Sequence, residues 1–84
     1  MPPARRVKPR SPEHAALGEA VRTLRLEAGM SQEDLADAAE TDLTQVGGIE
    51  RGVRNPSYTT LLRLASGLQT KVGRLTTLAD QIRG

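Results

Sequence analysis

Capping residues punctuate the middle of this chain too closely for long helices. Ser31, Asp42 and Ser57 each carry a side-chain oxygen that can accept a backbone N–H at a helix start, and each precedes a short apolar pattern. After Ser31 the inward set is Leu35, Ala36 and Ala39, with acids facing outward. The small Ala side chains permit close packing. After Asp42 the inward set is Val46 and Ile49, and Gly52, Asn55 and Pro56 break the chain beyond them. Two short helices joined by a tight connection are the simplest reading. Gln45, three residues after Asp42, stands where the partner of a capping box belongs.

The flanks extend the pattern. Ser11-Pro12-Glu13 combines an N-cap hydroxyl, a first-turn proline whose missing N–H costs nothing, and an acid facing the positive helix end. Leu17, Val21, Leu24 and Ala28 then form one stripe, and Gly29 is placed to stop it, so a first helix is expected from about Pro12 to Ala28. Ser57 opens a fourth helix with Leu61, Leu64, Ala65 and Leu68. A fifth is expected from about Lys71 to Arg83 on Val72, Leu75, Leu78 or Ala79, and Ile82. Five short helices without a credible strand make the chain all-α.

With 84 residues this is one small domain. The absence of cysteine removes disulfides and thiolate metal sites, and a lone His14 leaves too few ligands for an ordinary zinc centre. No secretory h-region and no bilayer-length apolar run are present, so a soluble, cytoplasmic protein is expected. The net charge of +2 hides a strong division. Residues 1–12 hold four basic groups and no acid, residues 13–42 set two arginines against eight acids, and residues 43–84 set six basic groups against two acids. Such polarity suits a polyanion, although a mixed solvated surface has the same composition. Residues 1–11, rich in proline and cations, read as a flexible basic arm before a domain spanning 12–84.

The residues Ser31-Gln32, Leu35-Ala36, Ala39, Val46 and Ile49-Glu50-Arg51-Gly52 stand in an order and spacing that resembles the phage-repressor-like (Xre) helix-turn-helix family. The resemblance covers about residues 14 to 78. It implies a compact five-helix, lambda-repressor-like DNA-binding domain whose helices two and three form the helix-turn-helix, with helix three in the major groove. If Val46, Ile49 and Glu50 face inward, about 100° per residue puts Thr44, Gly48 and Arg51 outside, flanked by Gln45 and Gly47.

Leu43, Thr44, Gln45 and Gly48 are therefore the candidate base contacts. Gln suits adenine, and Leu43 suits a thymine methyl. Each has a structural alternative: Thr44 solvated, Gln45 only a cap, Leu43 an inward anchor. In the family, the glutamine opening helix two and residues just past helix three meet the DNA backbone. This implies phosphate contacts by Gln32, Arg51, Arg54 and Asn55, the last two matching by position only. The resemblance also pairs Arg25 with Glu50 in a structural ion pair joining helices one and three.

Two local features depart from expectation. Gly47 and Gly48 each weaken a helix by about 1 kcal/mol relative to Ala, so something should compensate. Similar glycines occur in some restriction-modification controller proteins of the family, where close backbone approach to DNA is one reading and relief of crowding against helix four is another. Glu40 and Thr41 stand where the family carries glycine and a small aliphatic, so Glu40 must take the turn without glycine's freedom at positive φ.

No paired nucleophile and base, glycine-rich phosphate loop or metal cluster supports an enzyme, and no cofactor or small-molecule ligand is expected. The expected function is sequence-specific transcriptional regulation, by a homodimer on double-stranded palindromic DNA with half-sites about 34–36 Å apart. Leu75, Leu78 and Ile82 are the candidate dimer seam, and closure of the monomer core is their alternative use. A rival class is a protein-interaction module of the same fold, such as an antitoxin or assembly domain, because helix three carries few cations.

Overall fold

The computed structural model describes residues 8–84, and its first four helices each start on a side-chain oxygen. Ser11 accepts the N–H of His14 and opens α1 (Pro12–Glu27), while Ser31 accepts that of Asp34 and opens α2 (Gln32–Ala38). Asp42 accepts from Gln45 at the start of α3 (Leu43–Glu50), and Ser57 from Thr60 at the start of α4 (Tyr58–Gly67). α5 (Val72–Arg83) follows Lys71, which lies outside the helix and makes no side-chain cap. An ammonium has no lone pair to offer. The reciprocal capping box forms in α2, where the Asp34 carboxylate accepts the Ser31 N–H at 2.9 Å. At α3, Gln45 takes part through its backbone N–H, 2.7 Å from Asp42 Oδ1. A carboxylate is the stronger acceptor, and the Ser31 bonds hold Asp34 below the usual carboxylate range.

Four helices also stop in the same way, on a residue in the left-handed region. Gly29 and Gly52 take φ of 71° and 77°, but Glu40 and Gln69 take 53° and 57° with full side chains. In each case the following N–H reaches back five residues in the Schellman pattern, as in Met30 to Arg25 at 3.0 Å and Thr41 to Ala36 at 2.9 Å. Glu40 thus makes the turn of the helix-turn-helix in a conformation that disfavours a Cβ.

The core is aliphatic and drawn from all five helices. Val21, Leu24, Leu35, Ala36, Ala39, Val46, Ile49, Leu64, Ala65 and Leu75 form one buried cluster, with Met30, Leu61, Leu68, Val72 and Leu78 packed at its edge. α1 lies against α5 and α3, α2 against α3 and α4, and α4 against α5. Two glycines set the closest approaches. A Cβ on Gly18 would stand 2.4 Å from the Ile49 carbonyl oxygen, and one on Gly67 would stand 3.0 Å from the Ala39 nitrogen. The backbones of α1 and α4 therefore press directly on the two halves of the helix-turn-helix.

Three expectations change. Ala28 lies beyond the last turn of α1 and is exposed, so the inward face of that helix is Ala16, Ala20, Val21, Leu24 and Arg25. Leu75 has no exposed surface; it closes the chain's own core and is not available to a dimer seam. Leu78 is half-buried beside it, and Ile82 remains 40% exposed. Arg10, assigned to the arm, donates its N–H to the Gly52 carbonyl at 2.8 Å and so belongs to the folded unit. The rest of the arm reading, over residues 1–7, lies outside the described residues. Among the described residues no helix is long and apolar enough to cross a membrane.

Candidate nucleic-acid interface

α3 is held from behind by a buried ionic network. Arg25, at the last turn of α1, donates Nε to Glu50 Oε2 at 2.6 Å and Nη2 to Oε1 at 3.0 Å. Its Nη1 donates to the Met30 carbonyl at 2.8 Å, which ties the loop before α2 into the same group. Gln32, the first residue of α2, donates Nε2 to Glu50 Oε1 at 3.0 Å. The pair is nearly solvent-free, with side-chain exposures of 9% and 4%, and the Glu50 hydrogen bond raises the Arg25 pKa above its ordinary value. A charge this buried is stable only when paired. The network fixes α1, α2 and the end of α3 in one relative orientation.

The opposite side of α3 faces out. Thr44 is exposed, Leu43 is 45% exposed rather than anchored inward, and Gln45 is half-buried at the edge. The α3 cap occupies only the Gln45 backbone N–H, so its side-chain amide remains available for a hydrogen-bonding partner. One further turn along, the surface changes character. Gly47 and Gly48 are both buried, although helical geometry turns Gly48 outward.

Arginines from beyond the helix supply the covering atoms. A Cβ on Gly48 would stand 2.3 Å from Arg54 Cγ and 3.1 Å from its Nε, so the Arg54 side chain lies across the bare backbone there. A Cβ on Gly47 would stand 3.0 Å from Arg51 Nη1 and 3.8 Å from Gln32 Oε1. The glycine pair is thus a shelf for two guanidinium groups. Gly48, a candidate base contact, therefore lies under the Arg54 side chain. The atoms nearest to the pair belong to Arg51, Arg54 and Gln32 and not to α4, so crowding against α4 is not what the glycines relieve.

Asn55 is exposed beside this shelf, and its Oδ1 accepts from His14 Nε2 at 3.2 Å. His14 Nδ1 lies 2.6 Å from Ser11 Oγ, the hydroxyl that caps α1. One tautomer satisfies both contacts: Nε2 carries the proton and Nδ1 accepts the Ser11 hydroxyl hydrogen. His14 therefore braces the loop carrying Arg54 and Asn55, a role that a sequence with one unpaired His does not disclose. Gln32 is partly committed, since one amide hydrogen goes to Glu50 and the other remains. The described geometry gathers Leu43, Thr44, Gln45, Arg51, Arg54 and Asn55 around α3, with Gln32 at its edge.

The chain matches the helix-turn-helix family over residues 21–75. The control protein C.SmaI of Serratia marcescens is 41% identical over 61 residues, which make up 73% of each chain. Among solved structures, the restriction-modification controller protein C.AhdI of Aeromonas hydrophila superimposes with a TM-score of 0.76 at 38% identity, over 77% of this chain and 98% of that one. The clp gene regulator ClgR of Corynebacterium glutamicum reaches 0.81 at 25% identity, over 86% of this chain and 92% of that one. A family match beyond half the chain, with a curated relative and a solved structure well above 30% identity, identifies this protein as a member of the helix-turn-helix family.

Proposed function

We propose that the protein is a sequence-specific DNA-binding transcription regulator that acts by occupying an operator, without chemistry or cofactor. The observation that carries this reading is the shelf on α3. A bare stretch of helix backbone lies under two arginines, on an element whose rear face is locked by Arg25, Glu50 and Gln32. In the groove, Thr44 and Gln45 present hydrogen-bonding side chains to base edges and Leu43 presents methyls. Arg51, Arg54, Asn55 and the free hydrogen of Gln32 are directed to phosphates, which set register without reading sequence. The relatives named as controllers and as a gene regulator support the same use. A protein that works on genomic DNA is placed in the cytoplasm with it.

One α3 covers too few base pairs for high specificity, so the active species is a two-fold dimer on a palindrome. With Leu75 spent in the core, the seam falls to Ile82 and the outer edge of Leu78. α4 offers a second apolar patch, where Tyr58 is 67% and Leu62 is 45% exposed one turn apart. Sedimentation of Ile82→Asp decides between them: a monomer assigns the seam to α5, and a persistent dimer moves it to α4.

The test of function is selection of bound duplexes from a random DNA pool, followed by binding of the winner at two salt concentrations. The expected result is a palindromic sequence whose affinity falls steeply with salt, by about 0.9 in logarithmic slope for each phosphate contacted. Failure to enrich any duplex overturns the reading and returns α3 to the protein-partner class.

A further inference from the structure

The chain enters the fold at the exit of α3. Gly52, in the left-handed conformation that ends α3, turns its carbonyl toward the N-terminal segment and accepts the Arg10 N–H at 2.8 Å. Pro9 packs against the same residue, 3.0 Å from where a Gly52 Cβ would stand, and two Ala15 backbone atoms lie equally close. Any side chain at position 52 would push this segment away. His14 adds a second tie, since it joins the Ser11 cap at the root of the segment to Asn55.

These contacts collect cations. Lys8 and Arg10 are exposed in the segment tied to Gly52, and Arg51 and Arg54, which flank Gly52 in sequence, are exposed too. Among the described residues, the ion pairs join Arg25 to Glu50 and Arg83 to Glu13, so none of these four cations is paired within the fold. Like charges held together without a partner repel, and an external polyanion relieves the repulsion.

We infer that the N-terminal segment is a second DNA contact: Lys8 and Arg10, anchored at Gly52, lie on the phosphate backbone flanking the site occupied by α3. The inference rests on the DNA-binding reading above and adds a contact to it. The anchor does the positioning. Because the segment is tied to the last turn of the recognition helix, its cations are carried to the duplex edge whenever α3 docks.

The test measures binding of the full chain to its selected duplex over a range of salt, by fluorescence anisotropy. Lys8→Gln/Arg10→Gln is compared with Lys71→Gln/Arg74→Gln, which removes the same charge from exposed positions around the start of α5. The first pair is expected to lower the salt slope by about 1–2, and the second to leave it unchanged. No change in slope for the first pair, or an equal change for both, overturns the inference while leaving the regulator reading intact. A wild-type chain with a flat salt profile overturns the underlying reading and this one with it.

Discussion

The two faces of α3 are built in opposite ways. On the inner face, side-chain identity is everything: Val46 and Ile49 fill the core, and Glu50 receives three hydrogen bonds from Arg25 and Gln32. On the outer face, what counts at positions 47 and 48 is the absence of side chains, which lets Arg51 and Arg54 fold back over the helix. The difference shows how one short helix satisfies two demands. Its rear must be unique and rigid, so it uses buried, mutually dependent groups. In the proposed function its front meets a polyanion, and the positive charge there comes from beyond the last turn, where long side chains lie across bare backbone.

The sharpest way to break the comparison is at the rear. Glu50→Ala leaves Arg25 buried and unpaired, which should cost about 3–5 kcal/mol and lower the melting temperature on the order of 20 °C. A drop of only a few degrees would show that the pair behaves as a solvated one. At the front, the largest effect should be on discrimination, not stability. Gln45→Ala is expected to relax preference at one base pair per half-site by about 1–3 kcal/mol, read by competition with singly substituted duplexes. Retained preference would leave Gln45 as a helix-start residue alone.

The shelf itself can be tested as a unit. Gly48→Ala places a Cβ 2.3 Å from Arg54 Cγ and forces that side chain to turn away, so the strain offsets the helix-propensity gain of about 1 kcal/mol and DNA binding weakens. Arg54→Ala should lower the salt slope by about 1. The double variant should then bind no worse than Arg54→Ala, because both changes remove the same contact. Additive losses would separate the glycine from the arginine. The smallest expected effect is in the turn: Glu40→Gly should stabilise by roughly 1 kcal/mol, read by denaturant unfolding, because the residue sits at φ 53°. A destabilised variant would mean that the Glu40 side chain has a stabilising contact of its own.

Much of this architecture was legible before any coordinates. Ser11, Ser31, Asp42 and Ser57 are local signals, since a cap is made within one turn of the residue that announces it. The left-handed turn at Glu40 was expected from the family resemblance, which puts glycine at that position. The burial of Val46 and Ile49 likewise follows from helical periodicity. Gln69 gave no such signal, because a left-handed Gln at the end of α4 depends on packing beyond it. The site was legible as a location, but not in detail. Gly48 was placed on the correct face, yet its cover by Arg54 depends on how the loop after α3 folds back.

What the sequence determined alone is whatever acts over a few residues: where helices begin, which face of each is apolar, and the residue types offered along α3. Tertiary structure decided everything that depends on two distant segments meeting. It put Leu75 into the core instead of a dimer seam, joined His14 to Asn55, tied Arg10 to Gly52, and brought Gly18 onto the backbone of α3. The physical reason is range: caps and periodicity are properties of a single turn or stripe, whereas contacts across the fold exist only once the helices have packed.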